Sequence, residues 1–138
     1  EKAKSMGLVN TVFYDPTGLN NNNVSTAKEI TKFAGVALAN SDISKATLSK
    51  KYKLATMGGR KRIIYSTDRL LGVFSQNGVS IIGGKTGYLE AAGYSFVGKF
   101  IDSGGREIIS VVLGGSSKNS RFSETRELVE WAYENYVW

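Results

Sequence analysis

Three stretches in the second half of the chain are apolar at odd and even positions alike: Ile81-Ile82 running into glycines, Tyr94 to Ile101, and Ile108 to Leu113. A strand with one wet face would show a polar residue at every second position, so three such runs in succession predict an antiparallel sheet covered on both faces. The spacing changes to a helical one at both ends of this block. Ile30, Phe33, Ala34, Ala37 and Leu38 share one face of a helix predicted from Ser25 or Thr26 to Leu38. Thr26 with Glu29 three residues on forms a capping box at its start. A final helix, predicted to begin at Ser123, carries Leu128, Val129, Trp131, Ala132, Tyr136 and Val137 as an apolar stripe that packs back on the sheet.

The connecting pieces read as follows. Glu1 to Met6 are the last turns of a helix capped by Gly7, a residue type that commonly takes the left-handed conformation at a helix end. Thr11 to Tyr14 is a short extended piece, Asp15-Pro16-Thr17-Gly18 a tight turn, and Asn20 to Asn23 a polar loop. A second short helix is predicted from Ser41 to Ser49. Tyr52 to Met57 and Arg60 to Tyr65 flank Gly58-Gly59 as a β-hairpin. Ser66 or Thr67 caps a turn of helix through Asp68, Leu70 and Leu71, and Gln76-Asn77-Gly78 is a loop. Asp102-Ser103-Gly104-Gly105 and Gly114-Gly115-Ser116-Ser117 are the remaining turns.

Composition removes several chemistries. The 138 residues can bury roughly two-thirds of the surface that the unfolded chain exposes, enough for a core without staples. There is no Cys and no His, so thiolate nucleophiles, histidine bases and histidine-ligated zinc are excluded, and a catalytic base must be Lys, Asp, Glu or Tyr. No apolar run approaches the roughly 20 residues that span a bilayer. The net charge of +6 is local. Lys45, Lys50, Lys51, Lys53, Arg60, Lys61 and Arg62 lie in a stretch without an acid between Asp42 and Asp68, and with those seven set aside 11 basic residues face 12 acidic ones. The patch can meet an anionic polymer, but with only Tyr52 and Tyr65 as rings a solvated charged hairpin is the simpler reading, and nucleic acid is not expected.

The candidate chemistry sits on the first of the three strands, in Gly83-Gly84-Lys85-Thr86-Gly87-Tyr88. Glycines at 83, 84 and 87 carry no Cβ and let a ligand or another backbone approach, while Lys85 and Thr86 suit a carboxylate or phosphate. Taken alone, the tripeptide reads more simply as a glycine-rich edge or bulge with a solvated lysine.

The order of the pieces adds more: a strand ending in Lys85-Thr86-Gly87, a strand, a turn, a strand, then a C-terminal helix. With Asp15-Pro16-Thr17-Gly18-Leu19, Ser25-Thr26-Ala27, Ala92-Gly93-Tyr94-Ser95 and Val112-Leu113-Gly114-Gly115, the chain resembles the serine D-alanyl-D-alanine carboxypeptidases. These are the low-molecular-mass penicillin-binding proteins, whose fold is shared with serine β-lactamases. The resemblance implies an α+β domain, an antiparallel sheet with helices on both faces, of which residues 1–138 are the C-terminal portion. That family combines Ser-x-x-Lys, Ser-x-Asn and Lys-Thr-Gly. Only the third stands here in its expected setting. Ser25-Thr26-Ala27-Lys28 fits the first pattern but falls downstream of where the nucleophile belongs, and Ser25 is better explained by the helix cap. Ser75-Gln76-Asn77 and Ser117-Lys118-Asn119 fit the second but stand too near Lys85 or after it.

What the resemblance implies about function is the substrate-binding half of an enzyme acting on peptidoglycan stem peptides that end in D-Ala-D-Ala, exported to the outer face of the cytoplasmic membrane and acylated by β-lactams. It implies no cofactor and no metal. Lys85 would supply positive potential, Thr86 a hydrogen bond to the substrate carboxylate, Gly87 a backbone against which the substrate lies as an added strand, and the Tyr88 N–H one oxyanion donor. Arg121 matches an arginine that helps bind the terminal carboxylate. The Tyr88 side chain departs from a His found there in some members. The missing N-terminal half would be the necessary partner, and the chain alone would be inactive. Two alternatives stand beside this: a non-catalytic module that holds peptidoglycan or another anionic polymer through the Lys45 to Arg62 patch, and a fragment of a β-lactamase-like hydrolase.

Overall fold

The computed structural model describes residues 1–74 and 78–138. In chain order the elements are α1 (Lys2–Ser5), α2 (Ala27–Ala39), α3 (Ser41–Thr47), β1 (Lys51–Ala55), β2 (Lys61–Tyr65), β3 (Ser80–Leu89), β4 (Gly93–Ile101), β5 (Glu107–Gly115) and α4 (Ser120–Asn135). The three long strands form an antiparallel sheet in the order β3-β4-β5, and β1 and β2 pair separately.

Alternation along β4 divides the sheet's two faces. Phe96, Gly98 and Phe100 stand opposite Val112, Ser110 and Ile108, and this face closes over Leu70, Phe74 and Val79 and over Phe122 and Val129 of α4. Val97 and Lys99 stand opposite Val111 and Ile109 on the other face, where Gly35 of α2 comes down to Ile109. Both faces are covered because neither alternation is polar, which is why the strands read as continuous apolar runs. At the core centre Phe74 meets Phe100 with ring centroids 5.0 Å apart and Phe96 meets Phe122 at 5.4 Å.

Local chemistry explains the helix ends. At α1, Leu8 N–H donates to the Ala3 carbonyl (3.0 Å) and Gly7 N–H to Lys4 (2.9 Å), with Gly7 at φ 68°, the Schellman arrangement that a glycine permits. At α2, the Thr26 hydroxyl accepts from Glu29 N–H at 3.2 Å, so half of the predicted capping box forms. The other half is redirected: the buried Glu29 carboxylate accepts from Asn10 N–H (3.0 Å), Asn10 Nδ2 (3.0 Å) and the Thr11 hydroxyl, tying the helix to the incoming loop. Those donors hold its carboxyl below the usual range, the Thr11 hydroxyl most strongly.

Four expectations are corrected. The final helix starts at Ser120, three residues early, because Ser117 and Ser120 exchange N–H to hydroxyl bonds (Ser120 N–H to Ser117 Oγ 2.9 Å, Ser117 N–H to Ser120 Oγ 3.1 Å). Its buried line is Arg121, Phe122, Thr125 and Val129, while Leu128 and Trp131 are half exposed and Val137 lies beyond the helix end. The hairpin's strands end at Ala55 and begin again at Lys61, joined by the five residues 56–60, in which Thr56 N–H donates to the Arg60 carbonyl (2.9 Å) and Gly59 takes φ 76°. The stretch from Ser66 to Leu71 makes successive turns instead of a helix, since Asp68 N–H donates to the Ser66 hydroxyl (3.2 Å) and Asp68 Oδ1 accepts from Leu70 N–H (2.8 Å). No helix among the described residues is long and apolar enough to cross a membrane.

Candidate functional site

Gly83 and Gly84 are adjacent and face opposite ways, and each is a glycine for its own reason. A Cβ at Gly83 would stand 2.9 Å from Leu38 Cδ2 of α2, and one at Gly84 would stand 3.0 Å from Asp68 Oδ2 and 3.0 Å from Phe96 Cζ. The close approach predicted for these two glycines is therefore made by the protein's own side chains, not by a ligand. A register shift between Ile81 and Gly83 marks a bulge here, and the Ile82 carbonyl accepts from the Ser44 hydroxyl of α3 at 3.0 Å. Gly87 differs: its nearest neighbour would be Ser95 Cβ at an ordinary 3.7 Å, and it is exposed.

Beyond the two packed glycines the strand carries its functional groups outward. Lys85 is exposed, opposite Val97, and its Nζ folds onto the Thr86 carbonyl at 2.6 Å. Thr86, opposite Phe96, points the other way, and its hydroxyl lies 2.6 Å from that of Thr67. The Gly87 carbonyl accepts from Arg121 Nη1 at 2.9 Å. The Tyr88 ring stacks on its cross-strand partner Tyr94, centroids 4.2 Å apart and planes 27° apart. Among the described residues β3 pairs with β4 alone, so its other edge is open.

Arg121 is 3% exposed. Its guanidinium lies over Phe122 (4.8 Å) and Tyr94 (5.5 Å), and Nε is buried without a hydrogen-bond partner. Burial pulls its pKa below the ordinary arginine value. Its place at the start of α4 brings a cation beneath the Lys-Thr-Gly strand, where Nη1 donates to the Gly87 carbonyl at 2.9 Å and, more weakly, to the Ser95 carbonyl at 3.5 Å.

Thr67 and Asp68 are the residues that sequence reasoning passed over as turn chemistry. The turn that Asp68 builds carries Thr67 to Thr86 and leaves Asp68 Oδ2 buried, with no hydrogen-bond partner, against Gly84. Burial raises the Asp68 pKa above the usual carboxylate range, against the opposing pull of the Leu70 N–H and the Arg121 charge. The only signal in the sequence was a hydroxyl beside an acid ahead of Leu70-Leu71. Nothing in its spacing pointed 19 residues on to Thr86.

A cavity of about 590 Å³ opens between α3, the hairpin and β3, lined by Ile43, Tyr52, Ile64, Asp68, Lys85 and Thr86 among others. A second, of about 440 Å³, borders Gly87 and Tyr88 and includes Phe13, Ser25 and Ser95. Ser25, the candidate in Ser-x-x-Lys, shares a 2.7 Å contact with the Thr11 hydroxyl, while the cap itself is made by Thr26 and Lys28 is exposed. Asn119 of the second Ser-x-Asn accepts from Arg69 Nη1 at 2.7 Å, just ahead of α4. Ser75-Gln76-Asn77 lies outside the described residues.

The family model for D-alanyl-D-alanine carboxypeptidases (peptidase S11) matches residues 1–117. The chain belongs to this family. It is 29% identical over 137 residues to the D-alanyl-D-alanine carboxypeptidase DacF of Bacillus subtilis, covering 99% of this chain and 34% of that protein. Among solved structures it is similar to the DD-transpeptidase of Streptomyces K15 (30% identity, TM-score 0.83, 96% of this chain and 51% of that one). It is also similar to penicillin-binding protein D2 of Listeria monocytogenes in its ampicillin-bound form (31% identity, TM-score 0.74, 96% and 53%). The chain thus spans about a third to a half of the length of these relatives, and it matches the D-alanyl-D-alanine carboxypeptidase fold in its mixed α and antiparallel β architecture.

Proposed function

We propose that these residues are the substrate-binding half of a serine D-Ala-D-Ala carboxypeptidase that acts on peptidoglycan stem peptides, in a protein exported to the cell envelope. The observation that carries this is the open edge of β3, where an exposed Lys85, a Thr86 hydroxyl and an unencumbered Gly87 follow one another on a strand fixed from beneath. An extended peptide added along that edge gains main-chain hydrogen bonds. Lys85 supplies positive potential to its terminal carboxylate, and Thr86 donates a hydrogen bond to it. The Tyr88 N–H serves as one oxyanion donor, whose removal typically costs about a hundredfold to a thousandfold in rate. Arg121, buried on the Gly87 carbonyl, enters as a positioning residue that holds the strand and adds positive potential, in place of a direct ligand of the carboxylate.

Bond cleavage requires a nucleophilic serine attacking the D-Ala-D-Ala carbonyl, an acyl-enzyme and its release by water. No serine of these 138 residues stands in the expected Ser-x-x-Lys setting, so the nucleophile belongs to a segment beyond them. Labelling with a fluorescent penicillin tests the reading: the isolated chain should form no covalent adduct, and a longer form carrying Ser-x-x-Lys should label on a serine outside residues 1–138. An adduct on Ser25 would overturn it.

A further inference from the structure

Asp68 carries a carboxyl oxygen that no described residue satisfies. Its Oδ1 accepts from Leu70 N–H at 2.8 Å, whereas Oδ2 is buried without a hydrogen-bond partner, 3.0 Å from where a Cβ on Gly84 would stand. Residues of this chain alone close Oδ2 off, so any further segment packed against the site can only deepen its burial. Phe96 of β4 reaches the same point and brings no charge. Among the described residues the ion pairs are Lys99–Glu107 and Arg106–Asp102, so Asp68 has none. The field that it feels is that of Arg121 on α4. The other cations nearby are engaged: Arg69 donates to Asn119, and Lys85 folds onto the Thr86 carbonyl. Tyr52 and Tyr65 of the hairpin line the cavity that Asp68 shares with Lys85 and Thr86.

We propose that Asp68 is a positioning residue that makes recognition of a substrate carboxylate on β3 stronger as the pH falls. As an uncharged acid it leaves the positive potential of Arg121 and Lys85 standing at Thr86; as a carboxylate it opposes that potential. This rests on the reading of β3 as the substrate edge. Gly84 and Thr86 are two residues apart on one strand and face the same way, which separates their side-chain positions by about 7 Å. A charge on Asp68 therefore stands on the order of 10 Å from an anion held by the Thr86 hydroxyl, about one Debye length, across protein instead of water. The titrating group and the binding group also share one turn, since Thr67 next to Asp68 meets the Thr86 hydroxyl at 2.6 Å. Burial holds the Asp68 carboxyl above its ordinary range, so its charge appears only as the pH rises past the usual carboxylate titration.

Acylation of a longer form that carries the nucleophile tests this, with benzylpenicillin and its methyl ester as probes from acidic to neutral pH. Asp68→Asn keeps an oxygen for Leu70 N–H and removes the charge at every pH. The ratio of its acylation rate with benzylpenicillin to that of the parent cancels the titrations that the two proteins share. That ratio should climb by about twofold to twentyfold as the pH rises through the folded Asp68 value, the span for unit charges about 10 Å apart between water-like and protein-surface screening. The change should fall on the apparent affinity more than on the maximal acylation rate. With the methyl ester, which has no anionic carboxylate, the ratio should stay flat. A ratio that is flat with benzylpenicillin overturns the proposal, and so does one that moves alike for both probes, as a purely structural part for Asp68 would make it. A longer form with Ser-x-x-Lys that benzylpenicillin fails to acylate would instead overturn the reading of β3 as the substrate edge, and this proposal with it.

Discussion

Arg121 Nη1 donates to the Gly87 carbonyl at 2.9 Å across 34 residues of sequence, and that bond joins the start of α4 to the one glycine of β3 that nothing else crowds. The bond is charge-assisted and partly buried, so removing the guanidinium leaves a carbonyl with one partner fewer and a hole beneath the strand. Arg121→Met, which keeps most of the volume, should lower stability by about 1–3 kcal/mol in urea unfolding. Amide exchange should quicken at Gly87 and Tyr88 before it does in β5. A loss of stability with unchanged exchange in β3 would mean that packing over Phe122 and Tyr94 matters and the Gly87 bond does not.

The glycines of the motif should separate by function. Gly84→Ala places a Cβ 3.0 Å from both Asp68 Oδ2 and Phe96 Cζ and 3.2 Å from Ile81 Cδ1, inside a face that cannot give way, and should cost about 1–3 kcal/mol of stability. Gly87→Ala meets only Ser95 Cβ at 3.7 Å and should leave stability within about 0.5 kcal/mol of the parent. Its effect should fall on penicillin acylation in a form that carries the nucleophile. Equal unfolding midpoints for the two variants would remove the distinction.

Asp68 gives the fold a pH dependence of uncommon sign. Burial raises its carboxyl pKa in the folded state, so between the unfolded and the folded value the native chain holds a proton that the unfolded chain has lost. Its contribution is therefore intact below the ordinary carboxylate range and declines as the pH rises through the folded value. Asp102 runs the other way, because its hydrogen bonds with Arg106 lower its pKa and its contribution is lost on acidification. Asp68→Asn should flatten the decline on the alkaline side of the carboxylate range in urea midpoints measured against pH, and leave the acid limb in place. A parent and variant with parallel curves would show that Asp68 titrates as an exposed acid does.

The strands and helices were legible in the sequence because their periods are local. Phe96 and Phe100 against Val97 and Ile101 announce a two-faced strand, and Ile30, Ala34 and Leu38 announce a helix face, with no knowledge of what covers them. Lys85-Thr86-Gly87 was legible through its neighbours, since the family resemblance rests on their order. What was not legible depends on contacts between distant segments. Glu29 satisfies the capping pattern, yet Asn10 and Thr11 compete for its carboxylate and win it. Arg121 was legible as a carboxylate-binding candidate through the family resemblance, but its burial and its bond to Gly87 were not, because position at a helix start carries no information about burial.

The hydroxyl pair of Thr67 and Thr86, 2.6 Å apart, is the remaining device of the site, and its partners are unequal. Thr86 lies on the strand where a substrate carboxylate would be held, whereas Thr67 reaches it from the turn that Asp68 builds. In the hydrogen-bonded pair one hydroxyl donates to the other, so Thr67 can accept and leave the Thr86 proton committed, or donate and turn a Thr86 proton outward. Only the second arrangement serves an incoming anion, and it requires the Thr67 hydroxyl. In a form that carries the nucleophile, Thr86→Val should slow acylation by penicillin the more, Thr67→Val should slow it by about threefold to tenfold, and the double variant should be no slower than Thr86→Val alone. Coupling of that kind is what residues acting through one another show, and independent sites would instead give additive effects on the logarithm of the rate. Additive losses would show that Thr67 contributes to the turn without orienting Thr86.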